Sequence, residues 1–150
     1  MTRTLLVLGM AAACVAGVAR AAAPPADLDI IATRQAGQAL VGGTFVGLLQ
    51  AAKNKLPDVK PFAPAAKALT LWEGEFMKMF PPGSEQGHNT KALPAVWTDK
   101  ATFEKDARNL VEQAAKLQKI AESGDQAAFA EQVQALGEAC KTCHKQFKAR

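Results

Sequence analysis

Histidine and cysteine are scarce in this chain of 150 residues, two of the first and three of the second, and tyrosine is absent. That scarcity argues against a structural zinc site, which takes four Cys or His ligands. Outside one tight cluster near the C-terminus, the only such donors are Cys14 and His88. β-Branched residues are thin, while alanine, leucine, lysine, glutamate and glutamine abound, a balance that favours helix. With no strand in prospect, a thioredoxin-like dithiol, which follows a strand at the start of a helix, lacks its setting. Basic residues are scattered with no interleaved aromatics, so nothing suggests a nucleic-acid surface. The longest apolar stretch is too short to span a bilayer.

What is present begins with a leader. Arg3 supplies a positive n-region, Leu5 to Val18 form an apolar stretch, and Ala19-Arg20-Ala21 offers an A-x-A cleavage site. Residues 1–22 therefore read as a secretory signal that is removed, leaving residues 23–150 as one exported, soluble domain. Cys14 lies inside the leader and reads as a small apolar residue lost on cleavage. The alternative is a lipid-modified cysteine, weakened by Ala11 standing where a leucine is usual. Arg3 and Arg20 leave with the leader, so the formal charge of +4 falls to +2.

Hydrophobic spacing divides the mature domain into four helical stretches. The first carries Ile31, Gln38, Val41, Phe45 and Leu48, and the second Phe62, Ala65, Leu69, Trp72, Phe76 and Met79. The third carries Phe103, Ala107, Leu110, Ala114, Leu117 and Ala121, and the fourth Phe129, Val133, Leu136, Cys140, Cys143 and Phe147. Pro81-Pro82-Gly83-Ser84 ends the second, because proline lacks the amide donor and blocks continuation. Gly124 closes the third and Asp125 caps the fourth, while Asp99 is placed to cap the third. The expectation is an all-α fold: an antiparallel, up-down-up-down, left-handed four-helix bundle, with an irregular crossover from Pro81 to Thr98.

The cluster near the C-terminus is Cys140-Lys141-Thr142-Cys143-His144, the Cys-x-x-Cys-His signature of covalent c-type haem attachment. Two thiols three positions apart can add to the two vinyl groups on one porphyrin edge. The next residue, His144, is then placed to give the iron an imidazole nitrogen. Both cysteines continue the inward stripe of the fourth helix, so this haem would be held from inside the bundle. Its two propionates would bring the net charge near zero.

Taken whole, the chain resembles the cytochromes c′ from about Leu28 to Arg150. The resemblance rests on Arg34-Gln35-Ala36-Gly37, Phe80-Pro81-Pro82-Gly83-Ser84, Thr90-Lys91-Ala92-Leu93-Pro94-Ala95-Val96-Trp97 and the C-terminal Cys-Lys-Thr-Cys-His-Lys-Gln-Phe-Lys. It implies one covalent haem c, five-coordinate and high-spin, in a periplasmic homodimer that binds nitric oxide and carbon monoxide. Electron transfer with a redox partner not identified from the sequence is also implied, and no enzymatic activity. The positions matching haem contacts are Arg34, Gln35, Thr90 and Lys91, with Lys148 matching the basic residue beside the proximal histidine.

Several residues carry two readings. Arg34 is either a surface arginine or the partner of a propionate, which a guanidinium suits. Gln38 stands where the family commonly has Leu, Met, Phe or Tyr over the open iron face. It is either a distal-pocket amide or a glutamine at the stripe's edge bonded to solvent. Gly37, Gly42, Gly43 and Gly47 suggest close approach, of the porphyrin or of a second subunit. Met77 and Met79 read as core packing. Trp72 and Trp97 read as anchors, and His88 as a crossover residue that is solvated or near a propionate rather than on iron. The alternative function is a low-spin electron carrier with a sixth ligand, which the first helix does not offer. A peroxidase would need a distal histidine, and none stands there either.

Overall fold

The computed structural model describes residues 29–150; the leader over residues 1–22, with Cys14, lies outside them. Four long helices are present: α1 (Ile30–Lys53), α2 (Ala63–Phe76), α4 (Lys100–Ser123) and α5 (Gln126–Phe147). They pack as an all-helical bundle in which α4 is the central helix, set closely against both α2 and α5. Two short pieces were not foreseen, a 3-10 turn at Lys60–Phe62 and a one-turn helix α3 (Ala95–Thr98) in the last part of the crossover. No described helix is long and apolar enough to cross a membrane.

Caps fix the helix ends. Asp29 accepts from the amides of Ile31 and Ala32, both at 3.0 Å, and Asp125 accepts from Ala128 at 3.0 Å. Gly124 closes α4 at φ 81°, a left-handed conformation that suits glycine. Asp99 occupies the N-cap position of α4 but makes no cap bond there; its carboxylate accepts from Gln146 Nε2 at 2.9 Å instead. It ties α4 to the last turn of α5.

The second helix departs from expectation in length and in register. It ends at Phe76, before the prolines, and Lys78 and Met79 continue only as turns bonded to Glu75 and Phe76. Its buried residues are Ala63, Ala66, Leu69 and Glu73, so the inward face lies one position off the stripe inferred from Ala65 and Trp72. The apolar weight of Trp72 misplaced it: Trp72 is half-buried against Gly37 of α1, and an acid is buried in the true stripe.

The core is in two parts. The larger joins Leu48, Ala66, Leu117, Phe129, Val133 and Leu136 across all four long helices. The smaller is aromatic: Phe103 packs edge-on to Phe80 and Phe147 at 5.0 and 5.3 Å between ring centres, and Phe80 packs so on Phe76 at 5.0 Å. Such pairs are worth ~0.5–1.5 kcal/mol beyond the area they bury. Between the two parts the inward stripe of α1, at Gln38, Val41 and Phe45, is only half-buried.

Two glycines set how closely the helices approach. A Cβ on Gly37 would fall 1.7 Å from the Trp72 ring, and one on Gly137 would fall 2.9 Å from the Phe45 ring. Trp72 fits against α1 only through that gap, and its Nε1 is buried without a hydrogen-bond partner. Gly74, by contrast, has open space around it. Gly37→Ala should therefore lower stability by about 1–3 kcal/mol through overpacking, whereas Gly74→Ala should raise it by up to ~1 kcal/mol through helix propensity. Urea unfolding of the two variants checks the contrast, and equal effects would mean that Trp72 does not lie on Gly37.

Candidate functional site

The gap between the two core parts is a cavity of about 440 Å³. Its wall collects every site residue singled out from the sequence: Arg34, Gln35, Gln38, Thr90, Lys91, Cys140, Cys143 and His144, with Lys148. Neither His88, Met77 nor Met79 lines it.

α5 supplies the reactive side. Cys140 and Cys143 are half-buried free thiols on successive turns, and His144 follows at the cavity edge. Burial and then the Glu73 carboxylate push the Cys140 thiol up to about 11. Burial, Asp106, Glu73 and Cys140 push the Cys143 thiol up to about 12. Both thiols are thus protonated and weakly nucleophilic inside the folded bundle. The His144 imidazole is shifted the other way, below its ordinary value, by burial and by Lys148. It is held neutral, the form with a lone pair free for a metal.

The C-terminus is strapped to the crossover. The Leu93 amide donates to the Phe147 carbonyl at 2.9 Å and the Ala149 amide to the Lys91 carbonyl at 2.8 Å, around an isolated bridge of Ala92 with Lys148. The strap brings Thr90 and Lys91 to the same rim as His144 and Lys148.

α1 forms the opposite wall. Arg34 is buried, 3% exposed. Its Nη1 donates to the Met79 carbonyl and to Ser84 Oγ, both at 3.0 Å; Nη2 donates to the Ser84 carbonyl at 2.7 Å and to Thr90 Oγ1 at 3.2 Å. The guanidinium lies 4.5 Å over the Phe80 ring. It is not the surface arginine of the simpler reading. Burial pulls its pKa down, with Glu85 and Asp29 opposing at a distance, yet no described carboxylate pairs with it directly. A buried cation on a cavity wall without a paired anion fits a ligand that carries carboxylates.

Gln35 Nε2 donates to the His88 carbonyl at 3.0 Å, and His88 pairs with Asp29 at the exposed start of α1. Gln38 lines the cavity, and its Nε2 donates to Glu73 Oε1 at 3.0 Å. Of the crowded glycines, Gly37 admits Trp72, Gly42 lines the cavity, and Gly43 and Gly47 stand open on the outer face of α1.

Glu73 is the residue that reading the sequence missed. It is 3% exposed, lines the cavity, and burial pushes its carboxyl up to about 7 against the pull of the Gln38 bond. A signal existed: positions 66, 69, 73, 76 and 80 step by three and four, the true inward stripe of α2 and its extension.

The free thiols beside a neutral imidazole, the apolar and aromatic walls and the unpaired cation all fit a flat, covalently held haem. Comparison with known proteins agrees. A sequence profile of cytochrome c′ matches residues 29–148. The cytochrome c′ of Rhodospirillum rubrum is 32% identical over 99% of each chain. The crystal structure of cytochrome c′ from Rubrivivax gelatinosus superposes with a TM-score of 0.74 at 34% identity, over 81% of this chain and 95% of the other. A nitric oxide complex of a cytochrome c prime variant from Alcaligenes xylosoxidans shares the fold with a TM-score of 0.74 at 24% identity, over 81% and 94%.

Glu73 also gives a stability test. Its folded pKa is raised above the ordinary 4.5, so the protonated form is the one the fold favours. Its contribution is fully present below about pH 4.5 and is lost as pH rises through about 7. Glu73→Gln removes that loss. The variant's advantage over the parent should grow between pH 5 and pH 8, on the order of 3 kcal/mol at most. Denaturant unfolding at both pH values measures it, and a difference that stays flat would show Glu73 solvated.

Proposed function

The chain belongs to the cytochrome c′ family, and we propose that it is an exported, periplasmic cytochrome with one haem c. Cys140 and Cys143 would hold the haem through thioether bonds, His144 would give its imidazole nitrogen to the iron, and nitric oxide or carbon monoxide would be the small ligands the iron takes. The observation that carries this reading is the single cavity that gathers both thiols, the imidazole and the polar residues of α1. The leader pattern of Arg3, Leu5 to Val18 and Ala19-Arg20-Ala21 supports export.

When bound, the haem supplies an iron that changes by one electron and accepts a small ligand. The protein's part is to hold, orient and shield it. His144 would present a neutral nitrogen, since burial, and then Lys148 beside it, lowers its affinity for a proton. Arg34 offers charge to a carboxylate at the wall, while Thr90 and Lys91 stand at the rim. Phe76, Phe80, Phe103 and Phe147 keep the interior dry. On the α1 side no histidine or methionine lines the cavity, which supports a five-coordinate, high-spin iron over the low-spin carrier. The same lack speaks against a peroxidase, and we assign no catalysis; electron exchange with a redox partner is the companion role.

A homodimer is part of the reading. α1 is apolar on its outer face as well: Leu40 is 74% exposed and Val46 55%, and Gly43 and Gly47 beside them leave room for a close helix crossing. Leu71 of α2 adds to this exposed apolar surface at 63%.

Three outcomes test the proposal. Acid-acetone extraction should leave the colour with the protein; freely extracted haem sinks the covalent assignment. His144→Ala should keep its covalent haem and lose the parent's spectrum and gas affinity, and an unchanged spectrum would remove His144 as ligand. Leu40→Glu should shift sedimentation from dimer to monomer, since a charge at the centre of an apolar helix contact is left unpaired.

A further inference from the structure

The pair of Glu73 and Gln38 is a buried polar pair on the cavity wall to which the haem reading above gives no task. Among the described residues the Glu73 carboxyl has one hydrogen-bond partner, Gln38 Nε2 at 3.0 Å. Behind it the wall is a narrow apolar cleft with Val41, Phe45, Leu69 and Leu110. Ionised, such a carboxyl only accepts, so it takes the NH2 end of any amide beside it. An amide has two chemically opposite ends. Whatever holds one end decides what the other offers to the cavity.

We propose, resting on the haem reading above, that Glu73 is a positioning residue which fixes the orientation of the Gln38 amide and so sets which small ligands the cavity favours. With Nε2 drawn to Glu73, the carbonyl oxygen of Gln38 and a nearby negative charge are what the cavity meets. That wall suits a ligand with an N–H or O–H to donate, water included. It disfavours one that offers only lone pairs, such as carbon monoxide. Releasing Nε2 reverses the preference, because the NH2 group is then free to turn and donate to a bound ligand.

The test uses four haem-loaded, full-chain proteins: the parent, Glu73→Leu, Gln38→Ala and the double variant. Each is measured as its carbon monoxide complex at about pH 8.5, where Glu73 carries its charge. Glu73→Leu should lower the C–O stretching frequency and tighten carbon monoxide binding about five-fold, the scale of one neutral hydrogen bond. Most of both changes should vanish when Gln38 is already alanine, leaving only the small direct effect of the lost charge. Glu73→Gln, which keeps the volume and removes the charge, should move the stretch the same way by less, and it serves if the leucine variant fails to fold. A Glu73→Leu shift that persists in full without Gln38 overturns the proposal, since Glu73 then acts by itself. So does a stretch that ignores Glu73 while the haem spectrum is normal, and in that case the haem reading stands. Protein without covalent haem overturns both.

Discussion

Much of this structure depends on one buried guanidinium. Arg34 reaches from the second turn of α1 and bonds to Met79, Ser84 and Thr90, residues that span the start of the crossover. Segments of this length without regular structure do not hold a fixed path on their own. Here the path is set by donors in a planar fork with Phe80 stacked beneath. The early end of α2 belongs to the same arrangement, because the Met79 carbonyl is available to Arg34 only where the helix no longer uses it. The second strap, from Leu93 and Lys91 to the C-terminal residues, holds the other end of the crossover. Between the two lies the rim of the cavity.

The interior polarity is organised around that cavity. Arg34 and Glu73 put opposite charges on its wall, and neither is matched by a direct ionic partner among the described residues. Each charge is disfavoured by burial, so both cost the fold stability relative to apolar side chains of the same shape. The thiols feel the same field: the carboxylate of Glu73 raises both, after burial.

Much of this was legible in the sequence because it followed local rules. Gly124 and Asp125 marked the α4–α5 joint, and Cys140, Cys143 and Phe147 continued the α5 stripe at steps of three and four. What failed were rules with a tertiary answer. Asp99 stands where a cap belongs, but its carboxylate is taken by Gln146, a partner 47 residues away. In α2 the buried stripe contains Glu73, and hydrophobic pattern alone reads an acid as outward. Arg34 and Gln38 lie on the inward stripe of α1 for the same reason: the face that should be apolar meets a ligand site. The errors in polarity fell at the site itself, where local consistency is given up.

The split core shows what a bound group would add beyond chemistry. The larger apolar cluster and the aromatic cluster are separated by about 440 Å³, a space that forfeits dispersion contacts on both sides. Val41, Phe45 and Leu110 face it from one cluster, Phe76, Phe103 and Phe147 from the other. A rigid planar ligand anchored to α5 would touch both and join two partial cores into one. α1 gains most, because its stripe is half-buried only where the cavity interrupts it and its outer face is itself apolar. The exposed apolar surface of α1 at Leu40 and Val46 points away from the face that Gln38, Val41 and Phe45 turn to the cavity.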